Sequence, residues 1–390
     1  MPSPPDDLLA PRPTADPPPA VDRAALAAAV DLARSTEPAL PRAMDRWLAA
    51  TLADEPWPHV MGPLLDRGGP SGLVVVGGRV VARWGDPDRR EMTFSIAKSA
   101  LSLVAGLAFD DGLLVDLDEP AVARVPLAAL GGTVAGGGLP LDPAAARRIS
   151  WRQLLTQTSD WRGTLFDLPW WADPQGRQPP DEPAHGAGVR FAYNDVRTNL
   201  LSLALTHLHG RGAAEVLGER LLAPIGVADG WRWHGLDQMR TTLADGRRVP
   251  VVTGGSHWGG GLWLTASELA LLGLLVLAGG RWGDDRLLSE RWRALALEPC
   301  PLRPAYGLMW WRNPWAGRPR GSDAPPLGAV ADHDAFHPGS GVRGFAAHGT
   351  GDQVVWCDPD RELVAVVRWT TDPNPVLAAI TAAVSPRSGP

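Results

Sequence analysis

Apolar residues recur three and four apart along residues 21–53, with charged positions between them, and that spacing predicts helix. The pattern changes at SGLVVVGGRVVARWGD (71–86), where two apolar runs meet at Gly77-Gly78 and predict a β-hairpin. TFSIAKSAL (93–101) opens an apolar helix that runs to about Phe109 and stops at Asp110-Asp111-Gly112. From about 113 to 330 the chain reads as helices separated by Pro- and Gly-rich loops. The clearest helices are WRQLLTQTS (151–159), VRTNLLSLALTHLHG (196–210) and TASELALLGLLVLAGG (265–280), the last opening on a Thr-x-x-Glu capping box. Strand character returns in GVRGFAAHG (341–349), DQVVWCDPD (352–360) and ELVAVVRWTT (362–371), a meander turned at Asp358-Pro359-Asp360. PVLAAITAAV closes the chain as a helix. Strands at both ends and helices between them predict an α+β fold: one antiparallel sheet built from the two termini, flanked by helices, with a helical lobe inserted.

The Pro-dense residues 1–20 read as a disordered arm, and residues 21–390 as one domain. Its sheet region takes in about 68–110 and 331–390, and its helical lobe about 111–330. The arm has no basic or apolar signal region, and the longest apolar run, near 269–280, is too short for a bilayer. These features lead us to expect a cytoplasmic chain without membrane association. A net charge of -6 and the absence of basic, aromatic-interleaved runs exclude a nucleic-acid surface. Two distant cysteines, Cys300 and Cys357, form neither a disulfide framework nor a metal motif. HLH (207–209) diverges on a helix, and HDAFH (333–337) lacks the Glu of a zinc-protease motif, so no metal and no cofactor are expected. The partner expected is a small molecule; oligomeric state is not legible.

Composition singles out one position. Lys98 is the only lysine in the chain, whose 36 other basic residues are arginines, and it stands in an apolar helix three residues after Ser95. A chance Ser at that spacing has odds of roughly one in fifteen. The spacing puts Ser95 and Lys98 on one helix face, one turn apart, with Ser95 at the N-terminus, where free N–H groups and the dipole favour negative charge. Serine needs an adjacent base or cation to become a nucleophile, and a desolvated ammonium has a lowered pKa. Tyr193, one of two tyrosines, lies before a helix that Asn194 or Asp195 could cap. Beside Lys98 its phenol would be shifted down by the cation and serve as a general base. HGTGDQ (348–353) breaks a strand with glycines, a mark of close backbone approach, and an N–H there could join that of Ser95 as an oxyanion hole. No G-x-S-x-G elbow surrounds Ser95, which disfavours a Ser-His-Asp triad drawing on Asp358 or His257. Among 18 tryptophans, Trp161, Trp170, Trp171, Trp258, Trp263, Trp310 and Trp311 fall in segments expected near the site mouth, where with His257 they would line an apolar pocket.

Together these segments resemble the serine β-lactamase-like hydrolases, which include class C β-lactamases, D,D-peptidases, β-lactamase-like esterases and 6-aminohexanoate oligomer hydrolases. The resemblance runs from about residue 70 to the C-terminus. SIAK is similar to the family's S-x-x-K, Tyr-Asn-Asp (193–195) to its Y-x-N with Asp in the last place, and AHGT (347–350) to its K-T-G element. LLTQTSD (154–160) and GGGLWLTASELA (259–270) resemble LLxHTSG and GGxxST-x-x-D-L. The resemblance implies a β-lactamase/transpeptidase-like fold, Ser95 as acylated nucleophile, Lys98 as proton-relay partner and Tyr193 as base. It implies the N–H groups of Ser95 and Thr350 as the oxyanion hole. Asp195, Trp161, His257, His348 and Gly349 would face substrate. Ala347 and His348 stand where β-lactamases and peptidases keep a cation for the substrate carboxylate, so the esterase and amidase branch is favoured. The alternatives are a β-lactamase or D,D-peptidase, an acyltransferase, and a ligand-binding sensor that does not turn over.

Overall fold

A computed structural model of the chain describes residues 18–126, 143–175, 179–313, 341 and 343–387. Most of the Pro-rich arm and the HDAFH segment lie outside these residues. The two ends of the chain meet in a six-stranded antiparallel sheet. Its order is 311–312, 345–349, 353–358, 363–368, 71–76, 79–84. Gly77 and Gly78 take positive φ (56° and 79°) and close the 71–84 hairpin, a turn that side chains with a Cβ resist. The strand Ser71–Val76 then pairs along its length with Leu363–Arg368, placing Val74 opposite Ala365. Three of these strands, 71–76, 353–358 and 363–368, are buried at every position. Their near-continuous Val-rich runs follow from having both sheet faces covered.

Two helices, Arg23–Ser35 and Pro373–Ala382, pack together over one face. The helix Ala266–Leu277 and the start of Ile96–Asp110 cover the other. The capping box at Thr265 forms as the sequence predicts, with Glu268 N–H on Thr265 Oγ1 (3.0 Å) and Thr265 N–H on Glu268 Oε2 (2.8 Å). The 21–53 periodicity becomes two helices, 23–35 and 44–52, because Pro38 and Pro41 interrupt it. Several short strands have no sequence forecast, among them the hairpins 164–169, 240–250 and 281–286. Trp311–Arg312 adds an edge strand to the main sheet, and a second, three-stranded sheet joins 91–92, 261–264 and 232–234. Strands this short carry too few residues to show a period.

Ile96–Asp110 is the central helix. Residues 96–108 are all buried, and the helix is apolar around most of its circumference, as an interior helix must be. The helix Asp195–His209 packs against it, and Trp151–Leu155 packs against that helix in turn. Among the described residues no helix is long and apolar enough to cross a membrane.

Candidate active site

Ser95 is the N-cap of the central helix and is half-buried, while its neighbours on both sides are closed off from solvent. The turn before it is strained: Phe94 has φ 51°, a left-handed conformation that costs a non-glycine residue about 1–3 kcal/mol. Packing holds it there. The Phe94 ring sits edge-on to Trp47 (5.6 Å between centroids) and Trp369 (6.3 Å), with Met44, Leu48 and Met92 completing the cluster. The N-terminal helix 44–52 and the residue following the last strand thus fix the turn that presents Ser95.

Lys98 is 1% exposed. Its Nζ donates to Ser95 Oγ at 2.9 Å and to Asp195 Oδ1 at 2.5 Å, and lies 4.5 Å from the centroid of the Tyr193 ring. The helices 96–110 and 195–209 bring these groups together. Of the two capping candidates, Asn194 does the capping: its Oδ1 accepts the Arg197 N–H at 2.9 Å, and its amide donates to the Trp170 carbonyl at 2.8 Å. Asp195 is thereby released to face Lys98. Gly255 lies directly behind its carboxylate, where a Cβ would collide with both oxygens.

The Tyr193 side chain interacts with that of Ser95, and its ring stacks on Trp311 and meets Tyr306 edge-on. The expectation of a phenol shifted down by Lys98 is corrected. Burial first, then the Asp195 charge, push Tyr193 above its ordinary value; the neighbouring Ser95 side chain only partly opposes them. Burial is the larger cause, and Asp195, paired with Lys98, adds to it by opposing the field that would have acidified the phenol.

The late strand runs past the other side of Ser95. Gly349 approaches so closely that a Cβ there would strike the Thr93 carbonyl oxygen. Thr350 is exposed at the hairpin end. Buried Gln353 spans the two segments, its amide donating to the carbonyls of Met92 and Thr350, both at 3.0 Å. Arg368 backs it, donating to Gln353 Oε1 at 2.7 Å. His348 approaches Asp352 at 4.0 Å, and burial pushes its imidazole down to about 4. His257 is half-buried and meets Trp258 edge-on (4.6 Å).

The tryptophans expected at the mouth are mostly interior. Trp161, 1% exposed, has its ring over Gly163, where a Cβ would clash, and Trp170, Trp258, Trp310 and Trp311 are buried too. Trp171 is half-buried, edge-on to Trp57 at 5.0 Å. The buried rings pack into the interior instead of lining a mouth. Among the described residues no cluster of metal-ligating side chains forms.

Three residues around the site went unassigned in the sequence. Gln157, with φ 60°, receives the Asn194 N–H on its side chain (3.3 Å) and the Ala192 N–H on its carbonyl (2.9 Å), bracketing Tyr193. It belongs to the quoted LLTQTSD segment, so its place was marked though its work was not. Gln353 and Asp173 carry no local signal; only the fold brings them in.

The fold is of the β-lactamase/transpeptidase-like α+β class. The chain belongs to the β-lactamase family: the family described as Beta-lactamase matches residues 57–384. Members of this family are in general serine hydrolases. The fold is similar to that of a proposed β-lactamase from Bacteroides dorei DSM 17855 (TM-score 0.56, 15% identity, 81% of this chain and 93% of that one). It is also similar to EstCE1, a hydrolase with promiscuous acyltransferase activity (0.53, 14%, 93% and 98%). A penicillin-binding protein from Bacillus halodurans is a third similar fold (0.51, 18%, 80% and 94%). No curated protein matches the sequence.

Proposed function

We propose that this protein is a serine hydrolase of the esterase and amidase type, cleaving a small ester or amide through an acyl-enzyme on Ser95. The observation that carries the reading is the hydrogen bond of 2.9 Å from the chain's only lysine to Ser95 Oγ. Ser95 Oγ attacks the substrate carbonyl carbon. Its proton enters the relay as Lys98 passes one to Asp195 across their 2.5 Å contact. Tyr193, a neutral phenol beside Ser95, gives its proton to the departing alkoxide or amine and is reprotonated from the relay. The carbon–oxygen or carbon–nitrogen bond breaks, and the acyl group remains on Ser95. Water then attacks, adding one proton and one hydroxyl across the acyl bond and returning the acid and the serine. The N–H groups of Ser95 and Thr350 hold the oxyanion, with the dipole of the helix behind Ser95 favouring the same charge.

Ala347 and His348 support the ester and amide branch over β-lactams and D-Ala-D-Ala peptides. Alanine carries no charge, and His348, pushed down to about 4, is neutral at pH 7, so neither offers a cation to a substrate carboxylate. The wall of Phe191, Tyr306 and Trp311 around Tyr193 suits an apolar acyl or leaving group.

The test is intact-protein mass after exposure to a fluorophosphonate, with Ser95→Ala alongside. One adduct on the wild type and none on the variant supports the nucleophile and opens a screen of p-nitrophenyl esters, anilides and a chromogenic cephalosporin. Rapid cephalosporin hydrolysis would assign the β-lactamase activity instead. Esters consumed faster when an alcohol is added would assign acyl transfer. A single burst without turnover would assign a sensor, and no adduct on folded wild type would remove Ser95 from the mechanism.

A further inference from the structure

Asp173 belongs to none of the motifs that define the site, yet it lies directly behind it. It follows the short hairpin 164–169, and its side chain is fully buried. Both oxygens are engaged: Oδ1 accepts the Gln175 N–H at 2.8 Å, and Oδ2 accepts the Asp195 N–H. Because Asn194 is bonded to the Trp170 carbonyl, two successive residues of the 193–195 segment are tied to one loop, 170–173. The chain of contacts runs Asp173, Asp195, Lys98, Ser95. The titratable and charged groups that face Asp173 are Asp195, Tyr193 and Arg197 from one side and Lys98 from the central helix.

Building on the reading of Ser95 as nucleophile, we infer that Asp173 is a positioning residue of the acylation step. It fixes the first turn of the 195–209 helix so that Asp195 meets Lys98, and its own ionisation sets how readily the relay takes the Ser95 proton. Two buried carboxylates, Asp173 and Asp195, face the Lys98 ammonium, while the Arg197 guanidinium is paired with Asp160. While Asp173 is neutral, the Lys98–Asp195 pair is balanced. Once Asp173 ionises, a net negative charge sits in a dry site, and a proton arriving from Ser95 is more strongly held. Burial, then the charge of Asp195, push Asp173 up to about 8, against the two amide hydrogen bonds and the more distant Lys98. Acylation should therefore rise with pH as Asp173 titrates.

The experiment measures the rate of fluorophosphonate labelling of Ser95 against pH, by intact mass, for wild type and Asp173→Asn. The expected result is a rise of about tenfold for wild type, one pKa unit's worth, centred near pH 8. In the Asn variant, folded by circular dichroism, that rise is absent. A merely structural role would lower the rate without moving the profile. Labelling of both proteins with the same limb overturns this inference and leaves the nucleophile standing. No labelling of folded wild type at any pH removes the nucleophile and this inference with it. Should Asp173→Asn fail to fold, the wild-type profile decides: a limb near pH 8 supports the inference and a flat profile overturns it.

Discussion

Lys98 and Asp195 come from helices nearly a hundred residues apart and meet as a buried ion pair, Nζ to Oδ1 2.5 Å, while the same nitrogen donates to Ser95 Oγ at 2.9 Å. This pairing decides the electrostatics of the site. It sets a negative charge beside Lys98 that opposes any acidification of Tyr193, and in the proposed mechanism it would take up the proton that Ser95 loses.

Lys98→Arg should fold and lose activity. A guanidinium is planar, stays protonated, and cannot pass a proton between Ser95 and Asp195. The labelling rate should fall by at least about 10²-fold. A variant labelled as fast as wild type would end the relay reading.

Asp195→Asn restores the residue type of the resembled motif but strands the Lys98 ammonium without its counter-charge. Removing one partner of a buried pair costs up to about 3–5 kcal/mol, so the urea midpoint should drop clearly. Tyr193 should also titrate lower, since the Asp195 charge helps push it up. An unchanged midpoint would show that the pair contributes nothing to the native state.

Gly349→Ala would drive a methyl group into the Thr93 carbonyl, two residues before the nucleophile. Overpacking of this kind costs about 1–3 kcal/mol. The expected signature is slower labelling of Ser95 out of proportion to the loss of stability, because the late strand would be pushed off the Ser95 turn. Equal rates for variant and wild type would separate this strand from the chemistry.

Phe94→Ala keeps the left-handed turn but removes the ring that Trp47, Trp369, Met44 and Leu48 hold. A loss of about 3–5 kcal/mol is expected from a buried Phe truncation. Labelling should weaken as well, because nothing then pins the strained residue before Ser95. Full stability would mean that the cluster is not what holds the turn.

Stability should depend on pH through Asp173. Its folded pKa, about 8, lies above the ordinary value of 3.8. The stabilisation it contributes is therefore fully present below about 4 and is lost as pH rises through about 8. Thermal scans should show melting temperature falling across that window, and Asp173→Asn should flatten the fall. A wild-type melting temperature that rises steadily to pH 8 would contradict the raised value.

Much of this protein was legible in its residues. The hairpin at Gly77-Gly78, the capping box at Thr265 and the helix from Ser95 are local patterns, set by backbone freedom, side-chain caps and apolar period. The lone lysine three residues after a serine marked the site because helix geometry alone places that pair one turn apart. What stayed hidden depends on distance in sequence. Whether Asn194 or Asp195 capped its helix turned on the Trp170 carbonyl, which the fold delivers to Asn194. The direction of the Tyr193 shift turned first on burial and then on Asp195, whose pairing with Lys98 exists only when two helices pack. Trp161 reads as a loop aromatic until the glycine beneath it is seen to make room for its ring. The sequence determined the longer helices and strands and the spacing of Ser95 and Lys98, through interactions that span one turn or one hairpin. Tertiary structure decided the charge balance around that pair and the place of Asp173, because burial and long-range contact, which no local pattern encodes, fix both.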